Sequence, residues 1–159
     1  MAGEISSIKC TVSYGASATR PTAKTGYTVT LTGVKSISEV NSEPSQLDTT
    51  TFDNQTFRSY ILGLIDAGGS VTLTANNTDT FQTEWAALIS AAATAKAATP
   101  QQYIWFVVEF PGLANAFYFR GEPVALGMNA VGVDEVVEVD AYVSLSEVYG
   151  WAAKPTVSP

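Results

Sequence analysis

Hydrophobic and polar residues alternate along much of the chain. Ile8, Cys10, Val12 and Tyr14 are separated by Lys9, Thr11 and Ser13, the period of two expected of a half-buried strand. Gly15 to Gly26 reads as a polar loop. Tyr27, Val29 and Leu31 alternate with threonines as a second strand, which Val34 and Ile37 extend past a bulge at Gly33. Ser70 to Ala75 predicts a short strand. Tyr103 to Phe110 is apolar at every position but Glu109, with Ile104, Phe106 and Val108 on one face and Tyr103, Trp105 and Val107 on the other. Such a strand is covered on both sides. Ala116 to Arg120 follows, interrupted by Gly121-Glu122-Pro123, after which Val124, Leu126 and Met128 resume the alternation. From Asp134 to Glu147 the odd positions Val137, Val139, Ala141, Val143 and Leu145 form a core stripe. The even positions Asp134, Glu138 and Asp140 put three carboxylates, and no base, on the other face.

One segment has helical period. Phe81, Trp85, Leu88, Ile89 and Ala92 fall at i, i+4, i+7, i+8 and i+11, predicting an amphipathic helix over about residues 80–97. Asp79 and Gln82 read as a capping box, and Pro100 stops the helix by Thr99. A second segment has neither period. From about 40 to 69 the chain is first polar and threonine-rich, then apolar at Tyr60-Ile61-Leu62-Gly63-Leu64-Ile65, and breaks at Asp66-Ala67-Gly68-Gly69. It predicts a long irregular loop with a sticky end, and loops of that length are functional or disordered. The expected architecture is mainly β: one antiparallel β-sandwich or barrel over residues 1–150 with a single packed helix. A flexible C-terminal tail is expected over residues 151–159.

Composition sharpens this picture. Charged residues are only 14% of the 159, against roughly 25% in soluble domains. A surface so sparsely charged suits a subunit that hides surface in an assembly. The net charge is −7, all of it after residue 60: residues 1–60 carry five acids and five bases, residues 61–159 ten acids and three bases. Gripping nucleic acid requires clustered Lys and Arg, which this distribution does not supply. Cys10 is the only cysteine, so no disulfide forms within the chain, and with no histidine the commonest general base and metal ligand is missing. The chain carries no glycine-rich phosphate loop and no calcium-loop spacing. Glu138 and Asp140 could serve a glycosidase, and Trp85, Trp105 and Trp151 a sugar platform. The first pair reads better as a charged strand face, and only Trp151 falls where a ring would be exposed. The chain is expected to be neither an enzyme nor a cofactor binder. The N-terminus lacks the charged and apolar regions of a signal peptide, and no stretch reaches the ~18 apolar residues of a membrane span, so synthesis and folding in a cytoplasm are expected.

The order of elements resembles the tail tube (major tail) proteins of long, non-contractile-tailed bacteriophages, the siphophages. The stretch EPSQLDTTTFDNQTFRSYILGLIDAGGSVTL looks like that family's Thr-rich segment, Gly-hydrophobic-Asp element and strand. NTDTFQTEWAALIS stands where the family has its helix. The resemblance implies a structural virion protein of the tail, assembled in the host bacterial cytoplasm into hexameric rings that stack as a tube. The tape measure protein would occupy the tube, other tail proteins would join it, and DNA would pass through the lumen without specific binding. It also implies that Asp134, Glu138 and Asp140 line the lumen, and that the long loop, with Phe52, Phe57, Arg58, Tyr60, Ile61, Leu62, Leu64 and Ile65, contacts neighbouring subunits. Alternatives are a related secretion-tube ring protein, a tail terminator, or a carbohydrate-binding β-sandwich.

Overall fold

A computed structural model describes residues 9–41, 44–53, 56–65 and 69–157. Ile8, Asn54 and the break at Asp66 to Gly68 lie outside the described residues. Nine strands and one α-helix are present among them: β1 Thr11–Ser17, β2 Val29–Thr30, β3 Val34–Ile37, β4 Pro44–Asp48, β5 Tyr60–Ile65, β6 Ser70–Asn76, α1 Asp79–Ala97, β7 Tyr103–Glu109, β8 Asn115–Pro123 and β9 Glu138–Ala153. Seven strands form one antiparallel sheet in the order β2-β1-β7-β8-β9-β6-β3; β4 and β5 form a separate two-stranded sheet.

The sheet curls around α1. Val12 and Tyr14 of β1, Ile104, Phe106 and Val108 of β7, Phe119 of β8, Val71 and Leu73 of β6 and Val139, Ala141 and Val143 of β9 all turn inward. They meet Phe81, Trp85, Leu88 and Ala95 of the helix. The other face of β7 is covered too, by a second cluster of Tyr27, Trp105, Val107, Ala116 and Tyr118. That is why Tyr103–Glu109 lacks alternation: it is buried from both sides within this one chain. Residues 18–28 form the strap over this outer face. Arg20 lies between the rings of Tyr118 and Tyr149, 4.5 and 4.3 Å from their centroids, and Lys24 pairs with Glu109 at 2.8 Å.

The helix begins one residue away from the expected cap. Thr78 is extended and its hydroxyl accepts the Phe81 N–H at 3.1 Å, so Thr78 is the N-cap. Asp79 sits in the first turn, where its charge favours the helix dipole. Gln82 bonds Asn77 instead of closing a capping box.

Other boundaries differ from expectation because alternation outlasts the available partners. β2 is only two residues long, and the chain then turns at Gly33, whose φ of +79° suits glycine, into β3 on the opposite edge of the sheet. Val124, Leu126 and Met128 belong to no strand. The last strand begins at Glu138, not Asp134, because β6 ends at Asn76, directly opposite Glu138, and beyond it Asn77 N–H makes one more backbone bond, to Val137 O at 2.9 Å. Asp134 instead occupies a turn with φ of +60°. At its other end β9 runs on to Ala153. The following residues are held down as well: Pro155 is buried, and Thr156 exchanges backbone bonds with Thr22 and Lys24 of the strap.

Candidate assembly surface

The segment expected to be an irregular loop is a hairpin. Gln46 pairs with Leu62, Leu47 with Ile61 and Asp48 with Tyr60, and a bulge separates these from the pair Pro44 and Ile65. The threonine-rich run extends the ladder beyond the strands. Thr49 N–H donates to Ser59 O at 2.8 Å, Ser59 N–H to the Thr50 hydroxyl at 2.9 Å, and Thr50 N–H to the Asp48 carboxylate at 2.8 Å. These bonds from Thr50 hold the Asp48 carboxyl below its usual range. Glycine at 63 suits the close approach of the strands, since a Cβ there would press on the Ser45 hydroxyl and lie 3.2 Å from the Ser45 carbonyl.

All five residues of β4 are exposed. Of the residues singled out from the sequence, Phe52, Phe57 and Arg58 lie on the connection between the strands. Tyr60, Ile61, Leu62 and Leu64 lie on β5, where Ile65 closes the strand opposite Pro44. Phe52 is fully exposed, and Leu62 and Leu64 are 65% and 91% exposed. By alternation Tyr60 and Leu62 share one face, Leu47 and Ile61 the other; the bulge between Leu62 and Ile65 breaks the alternation at the exposed Leu64. An isolated two-stranded hairpin is marginal in water, and one apolar on both faces is an aggregation hazard unless something covers it.

The three acids do not form one row. Glu138 forms an ion pair with Lys35 of β3, so the face read as free of bases has one. Asp140 accepts the Thr74 hydroxyl at 2.8 Å, while its N–H donates to the Asn129 side chain at 3.2 Å. Asp134 is exposed in its turn, four residues before the strand begins.

Two features escape the sequence pattern. Residues 124–137 form a loop whose Met128, Val131, Val133 and Val136 are exposed. Its alternation mimics a strand; the glycines at 127 and 132 were the available signal against one. The loop is tied down where Trp85 Nε1–H donates to Val124 O at 2.8 Å and Gly132 N–H to the Glu135 carboxylate at 3.0 Å. The second feature is an apolar groove of about 240 Å³ at the root of the hairpin, with Ile37, Val40, Phe110, Phe117 and Trp151 in its walls and Glu39 at its rim. Trp85 and Trp105 are buried as expected and Trp151 is half exposed.

The chain is thus a curled antiparallel sheet wrapped on one helix, with a projecting apolar hairpin. No family model and no curated protein matches its sequence. Solved structures match the fold. A chain of the anti-feeding prophage (AFP) baseplate, a six-fold symmetrised cryo-EM structure, superimposes with a TM-score of 0.63 at 10% identity, over 96% of this chain and 98% of that one. A chain of the AFP tube terminating cap gives 0.57 at 10% identity, over 95% and 92%. At such identity the likeness is one of fold, and it spans nearly the whole of both chains.

Proposed function

We propose that this protein is a structural subunit of a phage-tail-type particle, assembling with copies of itself into stacked hexameric rings around a lumen. The observation that carries the reading is the hairpin Pro44–Ile65, which exposes apolar side chains on both faces and, among the described residues, is paired only with itself. The fold likeness to AFP baseplate and cap chains supports a place in such a particle. A contact between two different patches repeats head to tail, closing a ring or growing a filament. Sparse surface charge favours close packing of copies, and the acidic balance suits a conduit that must release DNA. In this reading Asp134, Glu138 and Asp140 face the lumen, although Lys35 neutralises part of that charge. The tape measure and other tail proteins are its further partners, and the tail of the virion its location.

Concentrated protein viewed by negative stain should show rings or tubes. Monodisperse monomers under every salt and concentration tried would refute the proposal. The likeness to cap and baseplate chains favours a second reading, a ring that terminates or starts a tube. Rings that never stack would select it.

A further inference from the structure

Resting on that reading, we infer that the hairpin of one copy seats in the groove around Trp151 of the next. The two surfaces match in three respects. First, both are apolar where they would touch. The hairpin presents Tyr60 and Leu62 on one face of β5 with the exposed Leu64 beside its bulge, and the groove is walled by Ile37, Val40, Phe110, Phe117 and Trp151. The rings of Phe110 and Phe117 stand 5.7 and 5.3 Å from that of Trp151, so the indole is braced on one side and open on the other. Second, the size fits side chains: 240 Å³ is below the roughly 300–1,000 Å³ of small-molecule sites. Third, the charges complement. Arg58 precedes the apolar face by two residues and has no ion-pair partner among the described residues. Glu39 at the groove rim has no cation among the described residues; its carboxylate accepts an Asn41 amide at 3.3 Å.

Geometry favours a second copy over the chain's own hairpin as the occupant. The groove wall Ile37 to Asn41 stands three residues ahead of Pro44 in the chain, and the β4 residues are exposed throughout rather than folded back onto it. A knob that projects from beside its own socket fills the socket of a neighbour, and the contact repeats from copy to copy.

The test combines a groove variant, Trp151→Ser, with the exposed charge pair. Both Glu39→Arg and Arg58→Glu should fold normally and raise the concentration needed for assembly several-fold, and the double exchange should restore it to within about twofold. Trp151→Ser should abolish assembly while its thermal unfolding stays cooperative. Mixed with a Leu62→Ser/Leu64→Ser variant, it should give one-to-one dimers and nothing larger, each partner supplying the half the other lacks. If Trp151→Ser and the single charge variants assemble like the unaltered protein while the hairpin variant does not, the groove is not the socket, although the assembly reading survives. If the unaltered protein never assembles, both readings fall.

Discussion

Replacing Leu62 and Leu64 with serine separates assembly from folding. The two side chains are 65% and 91% exposed in the isolated chain. Neither belongs to either buried cluster. Their removal should therefore change the unfolding free energy of the subunit by less than about 0.5 kcal/mol, the usual limit for surface positions. Complete burial of a leucine contributes about 1.5–3 kcal/mol. Scaled by the exposed fractions, covering both contributes about 2–5 kcal/mol per contact, less the cost of ordering the hairpin. At about 1.4 kcal/mol per tenfold, the concentration at which sedimentation velocity first detects oligomers should rise at least thirtyfold. Calorimetry on dilute protein should meanwhile show a midpoint within ~2 °C of the original. Unchanged assembly would remove the hairpin from the contact. A midpoint lowered by several degrees would show that these leucines stabilise the subunit's own fold.

Further expectations concern the fold that holds the hairpin out. Thr78→Ala removes the acceptor for Phe81 N–H and should cost about 1 kcal/mol, a drop of roughly 2–4 °C in melting temperature; Asp79→Ala should cost less. Trp85→Phe leaves Val124 O without its donor, at a cost of about 1–3 kcal/mol, and amide exchange in residues 124–137 should quicken. Burial, chiefly, raises the phenol pKa values of Tyr27 and Tyr118, whose hydroxyls donate to Pro21 O at 2.9 Å and Ala153 O at 2.6 Å. A raised folded-state value means that this stabilisation is intact below the unfolded value of about 10 and is lost as pH climbs above it. Thermal melts from pH 8 to 12 should show that loss, and Tyr27→Phe should lessen it.

The parts of the fold legible in the sequence are those where burial imposes a period. Phe81, Trp85 and Leu88 announced the helix; Val139, Ala141 and Val143 announced the inner face of β9. The full apolar run of Tyr103–Glu109 announced a strand covered twice. Pattern fails where burial does not alternate. Every residue of Pro44–Asp48 is exposed, so nothing in PSQLD records a strand, and half of the hairpin was invisible. Its other half stood out only as an apolar block with no visible place to go. Alternation also misleads where no neighbouring strand exists, as at Val124-Leu126-Met128 and Asp134 to Val137. The groove is a product of topology: Ile37, Phe110, Phe117 and Trp151 come from four separate parts of the chain, and no spacing connects them.

Ionic strength sets apolar contact against charge repulsion, and magnitudes decide the sign of the response. Each copy carries a net charge of −7. A domain of this length has a diameter of about 40 Å, so two touching copies have centres about that far apart. In water unscreened repulsion between them is about 5 kcal/mol. With a Debye length of ~30 Å at 0.01 M this falls to about 1 kcal/mol, and with ~8 Å at 0.15 M it almost vanishes. The ion pair proposed between Arg58 of one copy and Glu39 of the next would act in the opposite direction, but an exposed pair contributes only about 0.2–1 kcal/mol, and screening removes part of that. The apolar contact itself does not weaken with salt. The net expectation is that raising salt from 0.01 to 0.15 M lowers the concentration required for assembly, by up to about tenfold where repulsion dominates. Sedimentation across that range measures it. Assembly that weakens with added salt would mean that ion pairs hold the copies together, and the apolar hairpin would lose its place as the main contact.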